Sequence, residues 1–288
     1  MQRFCAVLAG LSLTALGVAA VDPAAFKAAV ELYQQHKPLE AQKAFETLAQ
    51  ADGKNADIQF YLGRLALQRD DHEQAVACFE KAVALVPDDA RFHHRLGDAY
   101  GLAAQKAGLF SKISLAGKCQ AEYEKAVELD GKSVDARQSL FNFYLQAPGF
   151  AGGSKEKALT QAEEIKRLDP PRGRQIFAAY YANEQKYALA LAEFDEVLKD
   201  KPDDYTSLYQ VGRLAANTGQ FLDRGLAALR RCVELPAPAG EPGHAAAHWR
   251  IGNILEKQGD KPGARAAYEA SLKADPKFPQ AIEALKKL

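Results

Sequence analysis

The stretch ADIQFYLGRLALQRDDHEQAVACFEKAVALVPDD, residues Ala56 to Asp89, spans thirty-four positions and recurs with changes along the chain. Gln59, Leu62, Gly63 and Ala66 fall at i, i+3, i+4 and i+7, which is one face of a first helix. Ala75, Phe79 and Ala82 form the matching stripe of a second. Gly63 and Ala75 are small enough for two helix backbones to approach closely, and Phe79 fills what remains. Asp70 and Asp71 supply the turn, and Pro87 with its two aspartates ends the second helix. Such a hairpin leaves its outer apolar surface uncovered, so it must stack on a copy of itself.

Copies lie on both sides. Leu96, Gly97 and Tyr100 repeat the first helix, and Cys119, Tyr123 and Ala126 repeat the second after a delay. Leu140, Phe141 and Tyr144 pair with Ala158, Ala162 and Ile165. Phe177, Ala178 and Tyr181 pair with Ala190, Phe194 and Val197. Val211, Gly212 and Ala215 pair with Gly225, Leu229 and Cys232, and Ile251, Gly252 and Leu255 with Ala264, Tyr268 and Ser271. Upstream, Ala41, Phe45 and Leu48 outline a weaker first copy. The ruler therefore predicts repeats at about 22–55, 56–89, 90–133, 134–170, 171–204, 205–244 and 245–278. Helix 279–288 closes the array, with Ile282, Leu285 and Leu288 facing inward.

This pattern resembles the tetratricopeptide repeat (TPR), whose preferences are met at Leu62-Gly63, Ala75, Phe79, Ala82 and Pro87, and again at Gly252, Ala264, Tyr268 and Pro276. The resemblance covers about residues 22 to 288 and implies an all-α, right-handed superhelical solenoid of about seven antiparallel helix-turn-helix repeats. It implies a surface that holds protein or peptide rather than one particular activity.

Composition agrees with an ordinary globular chain: 48% hydrophobic, 26% charged, and 37 basic against 37 acidic residues. With no basic excess, nucleic acid is not an expected partner.

The beginning, MQRFCAVLAGLSLTALGVAAVDPAAF, places Arg3 before an apolar run and small residues before Asp22-Pro23. It reads as a secretory signal peptide, residues 1–20, cut after Ala20, which implies a periplasmic or secreted chain with no membrane span after cleavage. An uncleaved membrane anchor is the alternative. Cleavage leaves Cys78, Cys119 and Cys232, an odd number spread over distant repeats, so buried free thiols are expected rather than disulfides.

No catalytic grouping stands out, and no cofactor or metal is implied. His244 and His248 lie four apart, but a loop precedes the first and a packing position takes the second. His93 and His94 are adjacent and point to different helix faces. Gly152-Gly153-Ser154-Lys155 lacks the strand and spacing of a phosphate loop and reads as a tight connection.

The ruler breaks twice at the same kind of turn. About ten extra residues around AGLFSKISLAGK, and about five within APGFAGGSKEKA, separate first from second helix in adjacent repeats. They should form an edge carrying Leu109, Phe110, Ile113 and Phe150.

In proteins similar to this one, repeat positions 5, 9 and 13 of the first helices line the inner surface. Carried over by register, this assigns Arg64, His94, Asp98, Gln138, Asn142, Tyr209, Arg213, Asn217, Trp249 and Asn253 to a groove, groups able to bond an extended peptide. The Lys, Asn and Arg set with which the best-known groove of this kind clamps a C-terminal carboxylate is incomplete here. The expected function is a non-enzymatic protein- or peptide-binding scaffold of the cell envelope, assisting assembly of a larger complex. The alternative is a structural subunit that docks through the insertion edge, residues 109–116 and 148–154; an enzyme is a distant third.

Overall fold

The computed structural model describes residues 21–288; the expected signal segment lies outside the described residues. Those residues form fifteen α-helices and no strand. They divide into two compact units, one ending at Ala158 and the other starting at Leu159.

Unit 1 carries α1 (Pro23–Gln34), α2 (Pro38–Ala51), α3 (Ala56–Gln68), α4 (His72–Leu85), α5 (Ala90–Lys106), α6 (Leu109–Leu129) and α7 (Val134–Gln146). The boundary falls within α8 (Lys155–Leu168). Unit 2 continues with α9 (Pro170–Asn183), α10 (Tyr187–Asp200), α11 (Tyr205–Thr218), α12 (Leu222–Glu234), α13 (His244–Lys257), α14 (Lys261–Ala274) and α15 (Pro279–Lys287). First and second helices alternate as the thirty-four-residue ruler requires.

Helix starts are set by short acceptors. The side chains of Asp22, Asn55, Asp71, Asp89, Ser133, Asp169, Asp204 and Asp260 each accept from a backbone N–H of the helix that follows. Each such cap stabilises by about 1 kcal/mol.

Four hairpins turn identically. His36, Asp70, Gln185 and Gly259 adopt positive φ, and the N–H of the following residue reaches back to the carbonyl five positions earlier, as Asp71 does to Ala66 at 3.0 Å. This closure satisfies helix-terminal carbonyls at the expense of a left-handed residue. The two stretched hairpins abandon it. Between α5 and α6 the chain passes through extended Ala107 and Gly108, and between α7 and α8 it runs through a single 3-10 turn, Gly149–Ala151, and left-handed Gly152. The N–H of Ser154 then donates to the carbonyl of Tyr144 at 2.9 Å.

Inside a hairpin, a glycine of the first helix receives a large side chain of the second. A Cβ on Gly63 would stand 2.7 Å from the Phe79 ring, and one on Gly97 2.6 Å from Tyr123. Phe79 is fully buried, as are Phe45, Ile58 and Leu65 in unit 1 and Leu229, Ile254 and Tyr268 in unit 2. At the C-terminal end Ala281 is the buried residue of α15, with Leu285 and Leu288 packed against the unit 2 core. Ile282 does not join that core, because the register of α15 gives the inward position to Ala281.

The insertion around residue 109 is not a loop. It lengthens α5 to 17 residues and α6 to 21, against 13 and 14 in the preceding hairpin. At a rise of 1.5 Å per residue, α6 gains roughly 10 Å. The sequence was free to do this because residues 109–121 contain no proline and keep an apolar residue every three or four positions.

Candidate binding site

The lengthened hairpin makes a wall. Leu109, Lys112, Ile113 and Ala116 of α6 face Asn142, Phe143 and Gln146 of α7 across a pocket of about 490 Å³, with Pro148 and Phe150 closing one side and Gln105 on α5 another. Its floor holds Cys119 and Tyr123, both buried. Tyr123 is fixed there because its hydroxyl donates to Asp98 Oδ1 at 2.8 Å. Burial pushes the Cys119 thiol up to about 12, so it acts as a small apolar surface and not as a nucleophile.

The rim is apolar and open. Phe110 is 88% exposed, Phe150 75% and Leu109 66%, with Ile113 less so. Residues 99–121 hold three lysines, Lys106, Lys112 and Lys118, and no carboxylate. Lys118 points to Glu80 at 4.0 Å and Lys106 to the Asp70 carbonyl at 3.4 Å, which leaves Lys112 on the pocket wall. The pocket therefore combines apolar contact area with amides and positive charge. Such a mixture suits an apolar anchor on a partner whose flanks are polar or acidic.

Unit 2 has a cleft of different chemistry. Gln175, Ala178, Ala179 and Ala182 of α9 face Gln210, Arg213, Leu214 and Asn217 of α11 around a space of about 320 Å³, with Tyr187 and Phe194 contributing from α10. Gln210, Arg213 and Asn217 share a face of α11 because they stand at i, i+3 and i+7. Arg213 is exposed at the mouth of this cleft, and partial desolvation together with the neighbouring Arg250 holds its guanidinium below the usual arginine value.

The other expected groove residues are mostly engaged. Arg64 lies over the Tyr33 ring at 4.7 Å and near Phe60 and Tyr61 at 5.5 and 5.8 Å. His94 is half-buried and its Nε2 meets Ser139 Oγ at 2.9 Å, while Asp98 accepts from Arg95 at 2.7 Å as well as from Tyr123. Gln138 is half-buried and also has a partner. Tyr209, expected to face a ligand, is buried, and its hydroxyl accepts from Arg250 Nε at 2.8 Å. Trp249 is half-buried beside Phe278 at 6.2 Å, and Asn253 accepts from the Tyr268 hydroxyl at 2.9 Å.

Asn142, Arg213 and Asn217 are the groove residues that line the two pockets, together with Leu109, Ile113 and Phe150 from the edge. Phe110 stands outside the pocket, on its rim side of α6. Gln105, Phe143 and Gln210 also line these pockets and were missed, while Lys112 lies within the expected edge 109–116 without having been singled out. Gln210 sits three positions before Arg213, and that helical spacing was the available signal.

Cys78, Cys119 and Cys232 are buried and unpaired. His93 bonds Glu122 at 2.6 Å and the Pro87 carbonyl at 2.8 Å, while His94 faces Ser139, so the adjacent histidines diverge. Among the described residues no group of three or more His, Cys, Asp or Glu could hold a metal ion, and no helix is long and apolar enough to cross a membrane.

A family model for the tetratricopeptide repeat matches residues 26–90, 62–103 and 212–279. The mitochondrial import receptor subunit TOM70 of Homo sapiens is 25% identical over 204 residues, covering 70% of this chain and 27% of that protein. The chain thus spans about a quarter of the length of this curated relative. A tetratricopeptide repeat protein from Parabacteroides merdae superposes with a TM-score of 0.62 at 13% identity, over 91% of this chain and 96% of that one. The C-terminal part of a TPR repeat-containing protein from Cytophaga hutchinsonii does so with a TM-score of 0.58 at 19% identity, over 90% and 99%.

Proposed function

Because this chain belongs to the tetratricopeptide repeat family, whose stacked hairpins are a scaffold for binding protein, we propose that it is a non-enzymatic binding scaffold of the cell envelope that receives a partner at the α5–α7 pocket of unit 1. One observation carries the reading: the residues that break the repeat period, and nothing in the folding of a standard hairpin requires, build a pocket with an exposed apolar rim. Phe110, Phe150 and Leu109 exposed together cost solubility and add nothing to the core, which is the signature of a surface meant to be covered.

The partner expected here places an apolar side chain between Ile113 and Phe143. Its backbone meets Asn142, Gln146 and Gln105, and acidic flanks meet Lys112. The relative named as an import receptor subunit supports a receiving role for such repeats. The envelope location rests on the composition of residues 1–20, and an assembly role follows if the partner is a subunit of a larger complex.

Site-specific photocross-linking tests the proposal. A photoreactive side chain at position 110 or 150 should capture one discrete partner in cells, while the same group at Leu39, an equally apolar residue 77% exposed elsewhere in unit 1, should not. Ile113→Ser together with Phe150→Ser should reduce capture at least about tenfold, as expected for losing a central anchor. Equal capture at Leu39, or capture that ignores both serines, removes the reading.

A further inference from the structure

The longest hairpin of unit 1 ends in an apolar point. Gly63 packs on Phe79 and Gly97 on Tyr123, and these pairs align the hairpin α3–α4 with its neighbour α5–α6. From that level α3 runs on five residues to Gln68, and α4 begins seven before Phe79. In the neighbour α5 runs on nine residues to Lys106, and α6 begins fourteen before Tyr123. The α5–α6 tip therefore projects past the adjacent turn by four residues on one helix and seven on the other, about 6 to 10 Å. Leu109 and Phe110 stand at this apex, 66% and 88% exposed. Phe150 of the second insertion shares a pocket wall with Leu109, whereas Phe110 lies outside that pocket and stays in water when the pocket is filled.

Charge is sorted in the same way. Residues 99–121 and 140–155, which contain both insertions, hold Lys106, Lys112, Lys118 and Lys155 and no carboxylate. Asp70, Asp71 and Glu73 belong to the shorter neighbouring turn, where they line a recess that Gly108 and Ser111 also border, and Glu156 lies inside the first turn of α8. No side chain caps the start of α6, so the positive end of the helix adds to the lysines.

Three kinds of occupant compete for such a point. A second copy related by two-fold symmetry would set lysines against lysines. A folded protein would need a concave, acidic socket to receive a projecting tip. A bilayer needs none, because its interface yields to an apolar wedge and its anionic headgroups meet the flanking lysines. The contact is a surface one, since no described helix is long and apolar enough to cross a membrane.

We infer that the α5–α6 apex of unit 1 docks on an anionic lipid surface. Leu109 and Phe110 enter the headgroup boundary with Phe150 beside them, and Lys106 and Lys112 meet the lipid phosphates. The protein partner proposed above uses the wall of the same hairpin, and the apex contact does not rest on it.

The test uses the full chain with one reporter. Trp249→Phe removes the native tryptophan, and Phe110→Trp places another at the apex, where it reads that point and not residues 1–20. Vesicles of phosphatidylcholine and phosphatidylglycerol in equal parts, with some acyl chains brominated, should shift its emission to the blue and quench it. With phosphatidylcholine alone, or after Lys106→Gln together with Lys112→Gln, the lipid concentration at half effect should rise at least about tenfold, as expected for two lysines at an anionic surface. The same reporter as Leu39→Trp, at a residue 77% exposed on an ordinary turn, should show neither change.

Unquenched emission at position 110 overturns the inference, as does equal quenching by neutral vesicles or equal quenching at position 39. A blue shift that grows with protein concentration in the absence of lipid gives the apex to a second copy and also overturns it. The vesicles contain no protein, so each of these results is distinct from failure of the cross-linking test of the pocket.

Discussion

The pocket of unit 1 and the cleft of unit 2 are made in opposite ways. The first is built by adding chain: α5 and α6 are extended past the repeat length, and the new turns supply Leu109, Lys112 and Ile113. The second is open because side chains are short: Ala179 and Ala182 stand on a helix of ordinary length and leave space that larger residues would fill. Their chemistry differs accordingly. Added turns expose apolar surface, whereas truncation uncovers the polar stripe of the facing helix. A repeat array can thus acquire specificity without altering the contacts that hold its hairpins together.

The comparison implies that the unit 1 pocket is tied to the hairpin core through its floor, and Gly97→Val tests that link with the largest expected effect. The new side chain would collide with Tyr123, which is at once the residue that fills the hairpin and the base of the pocket. Overpacking costs about 1–3 kcal/mol, and displacing the Tyr123 hydroxyl from the Asp98 carboxylate adds about 1–2. A total near 3 kcal/mol lowers the melting temperature by about 6–12 °C. Calorimetry showing a fall under about 2 °C would mean that the floor is softer than its packing implies.

These two origins also explain what could be read before the structure was known. The hairpins and the close packing of Gly63 on Phe79 follow from periodicity, and the helical framework was legible almost throughout. An insertion breaks that period, so Leu109, Ile113 and Phe150 could be singled out. Its conformation was not legible, since residues 109–121 suit a helix as well as a loop and only the packing of α6 on α5 decides. Truncation leaves the period intact. Alanines on α9 resemble many others, and Gln210 looked like any polar helix residue until its neighbours were placed. Tyr209 is a related case: register assigned it to a surface, and in the structure it is buried with Arg250 over its ring, on the wall of a separate pocket that Trp249 also lines.

A smaller effect distinguishes the two units by pH. Burial lowers the pKa of His94 in unit 1, with Arg95 adding to the shift and Asp98 and Asp135 opposing it. In unit 2 burial and then His244 lower that of His248. A histidine depressed in the fold takes up its proton more readily when unfolded. Stability is therefore complete above the ordinary value of 6.5 and declines as the pH falls below it. His94→Gln and His248→Gln should each flatten part of the decline in denaturation midpoint between about pH 6.5 and 5, and the double variant should flatten more than either. An unchanged slope in both single variants would show that neither ring is neutral for the stated reason.

Ala179→Leu carries the smallest expected change in stability and the sharpest bearing on how the cleft is made. Ala179 is exposed, and unlike Ala178 it has room toward the cleft, so a leucine there should alter unfolding by no more than about 0.5 kcal/mol. If the space exists because side chains are short, the leucine fills it: a crystal structure of the variant should show its side chain in the cleft while the melting curve stays in place. A leucine that turns away from the cleft would mean that a larger residue does not fill the space. A leucine that destabilises strongly would mean that the alanines serve helix packing, and that the cleft is a by-product of that packing rather than a feature built by truncation.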